Sequence, residues 1–273
     1  MKHLSYLFVL ALALPVACGE KRGADADALD VDSLAVDTVS ADTIAYEDPP
    51  AAADGLFDDF LFNYMRNARF QKSRTRFPLE VSENGEKKLV EKDAWKYQPF
   101  FTKWDVYTLF FASLEGRSAA NDTAVKSAAV EIMSLKQQTY RRHHFQKLRG
   151  AWCLTDVSAR SLAECPNADF LEFYKKFATN AAFRSKHVLK KFYYDGPNFD
   201  TDAPMRGNIA AANWETYAPE LPDDRLTNIV YGTPDAPNET VVLVLTDADG
   251  SLSSTMVFKK SGNTWFATTL INN

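Results

Sequence analysis

Two acid–aromatic pairs stand in matched contexts, Trp104-Asp105-Val106-Tyr107 and Trp214-Glu215-Thr216-Tyr217. A carboxylate base in an apolar cavity, faced by a Tyr hydroxyl, is the apparatus of a carbon-acid isomerase, so Asp105, Tyr107, Glu215 and Tyr217 are the catalytic candidates. Residues two apart share a face of a strand but diverge around a helix. The plainer reading of each pair is a turn or helix start with a buried Trp and a solvated acid.

Arg74 and Arg76, near Arg66, Arg69 and Lys72, could bind an anion or simply form a solvated helix face. His143 and His144 are adjacent and would point to opposite faces of a strand, so they cannot chelate one metal together, although either could line a pocket. Arg141 and Arg142 beside them suggest a basic edge. His187 is a further ligand-binding candidate. The chain has neither zinc-site spacing nor a G-x-S-x-G, H-E-x-x-H or Walker pattern. No metal or cofactor is expected, and nucleophilic, zinc-protease and nucleotide-hydrolysing chemistry have no sequence support.

What positions these residues is a chain of 273 residues, 46% hydrophobic and 25% charged, a globular composition. Its net charge of −5 lacks the basic excess of a nucleic-acid binder, so no nucleic-acid partner is expected. Residues 1–17 carry Lys2 and His3, an apolar run from Leu4 to Leu14, and Pro15-Val16-Ala17 before Cys18. This is the outline of a secretory signal too short to span a bilayer. A Cys after a small residue resembles the lipobox of bacterial lipoproteins, although Pro15 departs from that pattern. The resemblance implies a lipid anchor on Cys18 and a cell-envelope location, the outer membrane being expected.

Residues 18–54 then read as a disordered tether, because residues 19–54 hold ten acidic side chains against Lys21 and Arg22. Within it, Asp32-Ser33-Leu34, Asp37-Thr38-Val39 and Asp42-Thr43-Ile44 repeat at a period of five, which fits neither helix nor strand. With Asp122-Thr123-Ala124 they resemble the O-glycosylation sequon of exported Bacteroidetes proteins, making Ser33, Thr38, Thr43 and Thr123 candidates. Chance in an Asp/Thr-rich tract is the alternative.

The remainder divides into 55–160 and 161–273, with 18 basic and 12 acidic residues in the first part and 10 and 14 in the second. The parts align with each other. Phe57, Phe60, Leu61, Tyr64 and Phe70 match Phe170, Phe173, Tyr174, Phe177 and Phe183 at an offset of 113, with helical spacing. Trp104 matches Trp214 at 110, and Phe145 to Trp152 matches Phe258 to Trp265 at 113. Collinear matches of this kind mark an internal duplication. Strands are expected over Ala129–Met133, Thr139–Leu148 and Trp152–Val157, and as a meander from Thr240 to Ile271, which with the helices gives α+β.

Cys153 and Cys165 flank an 11-residue segment at the junction. In an oxidising envelope they could pair. Alternatively they are free buried thiols, since Cys153 aligns with Phe266 and therefore faces a core.

A helix leading into a curved antiparallel sheet that ends in a hairpin before a Trp resembles the nuclear transport factor 2-like (cystatin-like) cone. Taken twice behind a lipoprotein signal, with Phe70-Gln71-x-x-Arg74-x-x-Phe77-Pro78-Leu79, the chain resembles a Bacteroidetes lipoprotein family catalogued only as a domain of unknown function. The second half departs from that string at Arg184, His187 and Lys190 and lacks the Pro. The resemblance implies two tandem cones at 55–160 and 161–273. Fold does not choose function. The expected role is a non-catalytic binding or assembly module, joined to the membrane through Cys18 and to an unknown small molecule or envelope protein. An isomerase- or hydratase-type enzyme with a pocket carboxylate is the alternative, and a purely structural pair of sheets is a third.

Overall fold

Helix α1 (Phe57–Arg66) buries Phe57, Phe60, Leu61, Tyr64 and Met65 as one stripe and sets Asp58 and Asp59 at its positive N-terminal end. Asn67 then caps α2 (Ala68–Ser73) by accepting the Phe70 N–H at 2.9 Å. The second half repeats this with α3 (Ala168–Thr179) and α4 (Ala181–Lys186), where Asn180 accepts the Phe183 N–H at 2.9 Å. The 113-residue offset thus holds down to one capping bond. These details come from a computed structural model that describes residues 54–232, 239–247, 250 and 252–273. The signal, the Cys18 anchor, and the tether with Ser33, Thr38 and Thr43 lie outside the described residues.

The strands are β1 (Thr75–Glu83), β2 (Glu86–Val90), β3 (Val106–Phe111), β4 (Ser127–Ser134), β5 (Thr139–Leu148) and β6 (Ala151–Ser161), then β7 (Val188–Pro197), β8 (Pro204–Ala210), β9 (Arg225–Tyr231), β10 (Thr240–Asp247), β11 (Ser253–Ser261) and β12 (Thr264–Asn272). A short helix, α5 (Trp214–Tyr217), precedes β9. The strands form two six-stranded sheets, β2-β1-β6-β5-β4-β9 and β8-β7-β12-β11-β10-β3. Five positions in each sheet come from one half, but the sixth is exchanged. β3 completes the sheet of the second half, and β9 completes that of the first. The 55–160 and 161–273 halves are therefore units of sequence that the sheets cross, and the described residues lie in one compact unit.

Each sheet closes over an aromatic core. In the first, Phe57 meets Trp152 edge-on at 5.0 Å, with Phe60, Phe145 and, from β9, Ile229. In the second, Phe170 meets Trp265 at 5.2 Å, with Phe177, Phe258 and, from β3, Phe110. Each such ring contributes roughly 1.5–3 kcal/mol on burial.

One expectation is corrected here, and one open alternative is decided. Tyr107 lies in β3 but Tyr217 in α5, so the Trp-acid-x-Tyr match at 110 is a likeness of sequence without structural equivalence. The counterpart of Trp214, which packs on Phe177 at 5.7 Å, is Phe100, which packs on Tyr64 at 5.9 Å. Cys153 and Cys165 are both free thiols, not a disulfide. Chain geometry explains this: β6 stays extended from 153 to 161, roughly 25 Å. The four residues that follow can return at most about 14 Å, which leaves the two Cα atoms about 11 Å apart, beyond the ~7 Å limit for bridging.

Candidate functional site

The mouth of the first cone is filled by its own chain. Gln71, fully buried, donates through Nε2 to the carbonyls of Tyr64 at 3.0 Å and Gln98 at 2.8 Å, and its Oε1 accepts the Gln98 N–H at 2.9 Å. The Tyr97 hydroxyl donates to the Met65 carbonyl. Beneath them His143, 1% exposed, holds Nε2 at 3.1 Å from Gln98 Oε1 and lies 4.7 Å from the Phe100 ring. Burial, aided by Arg141, pushes its pKa down to about 3, so the ring is neutral.

The second cone is filled in a matching way. Arg184 stands where Gln71 does and donates to the Phe177 and Ala178 carbonyls at 2.7 and 3.1 Å, and to both Glu215 oxygens at 2.7 and 3.1 Å. Trp214 is buried between Phe177 and Phe192, and Met256 occupies the position of His143.

A wide opening lies on the outer side of the residues that fill the second cone. It is a cleft of about 1040 Å³ between residues 103–106, the ends of α3 and α4, the helix α5, and residues 218–225. Asp105 and Glu215, separate in sequence, both line it, as do Trp104 and Trp214. Both carboxylates are exposed, and Glu215 is held by Arg184. Tyr107 turns away and stacks on Phe101 at 5.6 Å, while Tyr217 packs on Tyr194 at 4.6 Å. Neither acid–Tyr pair forms a base and donor around an enclosed apolar space. The Arg225 guanidinium lies 5.3 Å over Trp104 and 3.9 Å from Asp224.

The remaining candidates disperse. Arg74 binds both oxygens of Asp54 at 3.0 and 2.7 Å, and Asp54 also accepts the Trp152 N–H at 2.9 Å, so the last acid of the tether is built into the fold. Arg76 is exposed on β1. His144 faces Asp156 at 3.5 Å on the other side of the sheet from His143, and burial lowers its pKa against the pull of that carboxylate. His187 stacks on Phe183 at 3.9 Å and hydrogen-bonds its carbonyl at 2.8 Å. Thr123 is exposed after the 114–121 turn. Among the described residues no cluster of metal-ligating side chains occurs.

One buried carboxylate escapes sequence reasoning. Glu131, 4% exposed on β4, accepts from Tyr140 at 2.5 Å and Asn228 at 3.0 Å, with Arg142 at 3.5 Å. Asn228 in turn accepts the Phe110 N–H at 2.9 Å, which links the two sheets. The signal was present: a lone acid inside Ala128-Ala129-Val130-Glu131-Ile132-Met133. A buried acid in such a run must find partners.

Of the comparisons with known proteins, one solved structure agrees with this architecture. The family model for a domain of unknown function (DUF4348) matches residues 36–272. The crystal structure of an ntf2-like protein from Bacteroides fragilis is similar at 27% identity and a TM-score of 0.73, covering 83% of this chain and 99% of that one. None of the curated proteins searched matches. The chain belongs to the DUF4348 family.

Proposed function

We propose that this member of the DUF4348 family is a non-catalytic binding or assembly module of the cell envelope, built from the duplicated halves 55–160 and 161–273. It is anchored to a membrane, the outer one, through a lipid on Cys18, and it presents the 1040 Å³ cleft to its ligand or partner. The observation that carries the reading is the contrast between cones and cleft. Both cone mouths are closed by the chain's own Gln98, Phe100, Trp214 and Arg184, whereas the acids of the two Trp motifs stand solvated on an open wall. An isomerase needs the reverse, a base withdrawn from water. The buried Glu131 supports no such role, since its oxygens are already bonded to Tyr140, Asn228 and Arg142. The acidic tether gives the module reach, with Ser33, Thr38, Thr43 and Thr123 as sugar acceptors.

A photoreactive residue in place of Val106, on the cleft wall and 36% exposed, tests the reading in cells. A discrete adduct is expected there and none from the same probe at Leu89, an exposed site on β2 away from the cleft. Equal labelling from both positions would contradict it. Loss of radiolabelled fatty acid on Cys18→Ser tests the anchor.

A further inference from the structure

The duplication shows what the cleft lacks. Ala178 and Arg184 line it, and their counterparts in the first half are Met65 and Gln71. Those two are covered by an extended stretch of the chain itself: Tyr97 bonds the Met65 carbonyl, and Gln98 pairs through its backbone with the Gln71 amide. In the second half Arg184 itself bonds the Ala178 carbonyl, and the chain turns into α5 and then runs along residues 218–222, with the cleft open beside them.

Charge says what would fit. Five carboxylates line the cleft (Asp105, Glu215, Glu220, Asp223 and Asp224) against Lys103, Arg184 and Arg225. Both arginines are engaged within the protein, Arg184 on Glu215 and Arg225 over Trp104. Lys136 pairs with Asp223. Asp105 and Glu220 are exposed and make no ion pair among the described residues, and neither does Lys103, so two free acids face one free cation. The wall residue Trp214 is 1% exposed, and its buried indole N–H, like that of Trp152, has no acceptor among the described residues.

We propose that the cleft takes an extended peptide segment bearing cationic side chains, its ammonium or guanidinium groups on Asp105 and Glu220. The inference rests on the reading of the cleft as a binding site and adds the class of partner. It follows the same logic by which Tyr97 and Gln98 occupy the first half, with charge complementarity setting preference.

The test uses the full chain and two labelled peptides of alternating Tyr and Lys or Tyr and Glu, followed by fluorescence anisotropy, with spermidine as competitor. The Lys peptide is expected to bind, to weaken with added salt, and to lose about tenfold in affinity to Asp105→Asn/Glu220→Gln, two exposed isosteric changes. Binding of the Glu peptide as tight as the Lys peptide, absence of Lys-peptide binding, or an unchanged affinity in the double variant would overturn the proposal. Displacement by spermidine at equal concentration would overturn it in favour of a free polyamine. A partner captured at position 106 without any Lys-peptide binding would sink this inference alone, whereas no capture at 106 would sink the binding reading beneath it.

Discussion

Thr108 and Thr227 bind each other reciprocally across the exchanged strands. Each backbone N–H donates to the other's Oγ1 at 2.8 Å, and each hydroxyl donates to the other's carbonyl at 2.7 Å. One residue lies on β3 and the other on β9, so a local two-fold relation between the halves passes here, where each half lends a strand to the other.

Removing either hydroxyl leaves a buried N–H and a buried carbonyl on the opposite strand without a partner. Thr108→Val is expected to cost about 2–3 kcal/mol and Thr108→Ser under about 1 kcal/mol. Urea unfolding of both variants checks this, and a Thr108→Ser protein no more stable than Thr108→Val would contradict the assignment to the hydroxyl.

Two pairs beside this crossing differ between the sheets. Glu131 faces Asn228 in the first sheet, and at the equivalent place Val244 faces Leu109 in the second. Had the strands not exchanged, Leu109 would face Glu131 and leave a buried carboxylate short of a donor. Glu131→Val is expected to cost about 3–5 kcal/mol, and Asn228→Leu about 2 kcal/mol, because it also strips the Phe110 N–H of its acceptor. The double variant recreates the apolar pair and is expected to cost roughly 1–2 kcal/mol less than the sum. Denaturation of all four proteins measures that coupling.

His143 links stability to pH. The folded protein keeps the ring neutral to about pH 3, whereas the unfolded chain protonates it near the ordinary value of 6.5. The unfolded state therefore binds more protons in this window, and stability falls as pH drops from 6.5 toward 3, by up to ~1.4 kcal/mol per pH unit. His143→Met, the residue found at the matching position 256, should flatten that slope. An unchanged slope would assign the acid sensitivity to other groups.

Gln71 holds the segment over the first cone, so Gln71→Leu is expected to raise amide exchange across 91–105 and to expose Lys92 and Lys96 to trypsin, leaving α3 and α4 protected. Mass-resolved exchange separates this local opening from global loss of stability, which would raise exchange in both halves alike.

The helices and the β4–β6 and β10–β12 meanders were legible because their apolar spacing is local and periodic. The exchange was not, because β3 and β9 are short apolar runs whose partners lie more than a hundred residues away, and nothing in Val106–Phe111 says which sheet it joins. For the site, the two Trp-acid motifs pointed to residues that do share a cleft, although their assumed equivalence was wrong in register. Glu131 and Gln98 went unnoticed because their roles come from partners distant in sequence.

The most direct measurement of the central claim is native mass spectrometry of the protein purified from its own envelope, set beside a variant with a Trp at Val106 to obstruct the cleft. A bound protein or peptide present on the first and absent from the second is predicted. A small molecule retained equally by both would place the ligand inside a cone and contradict the account.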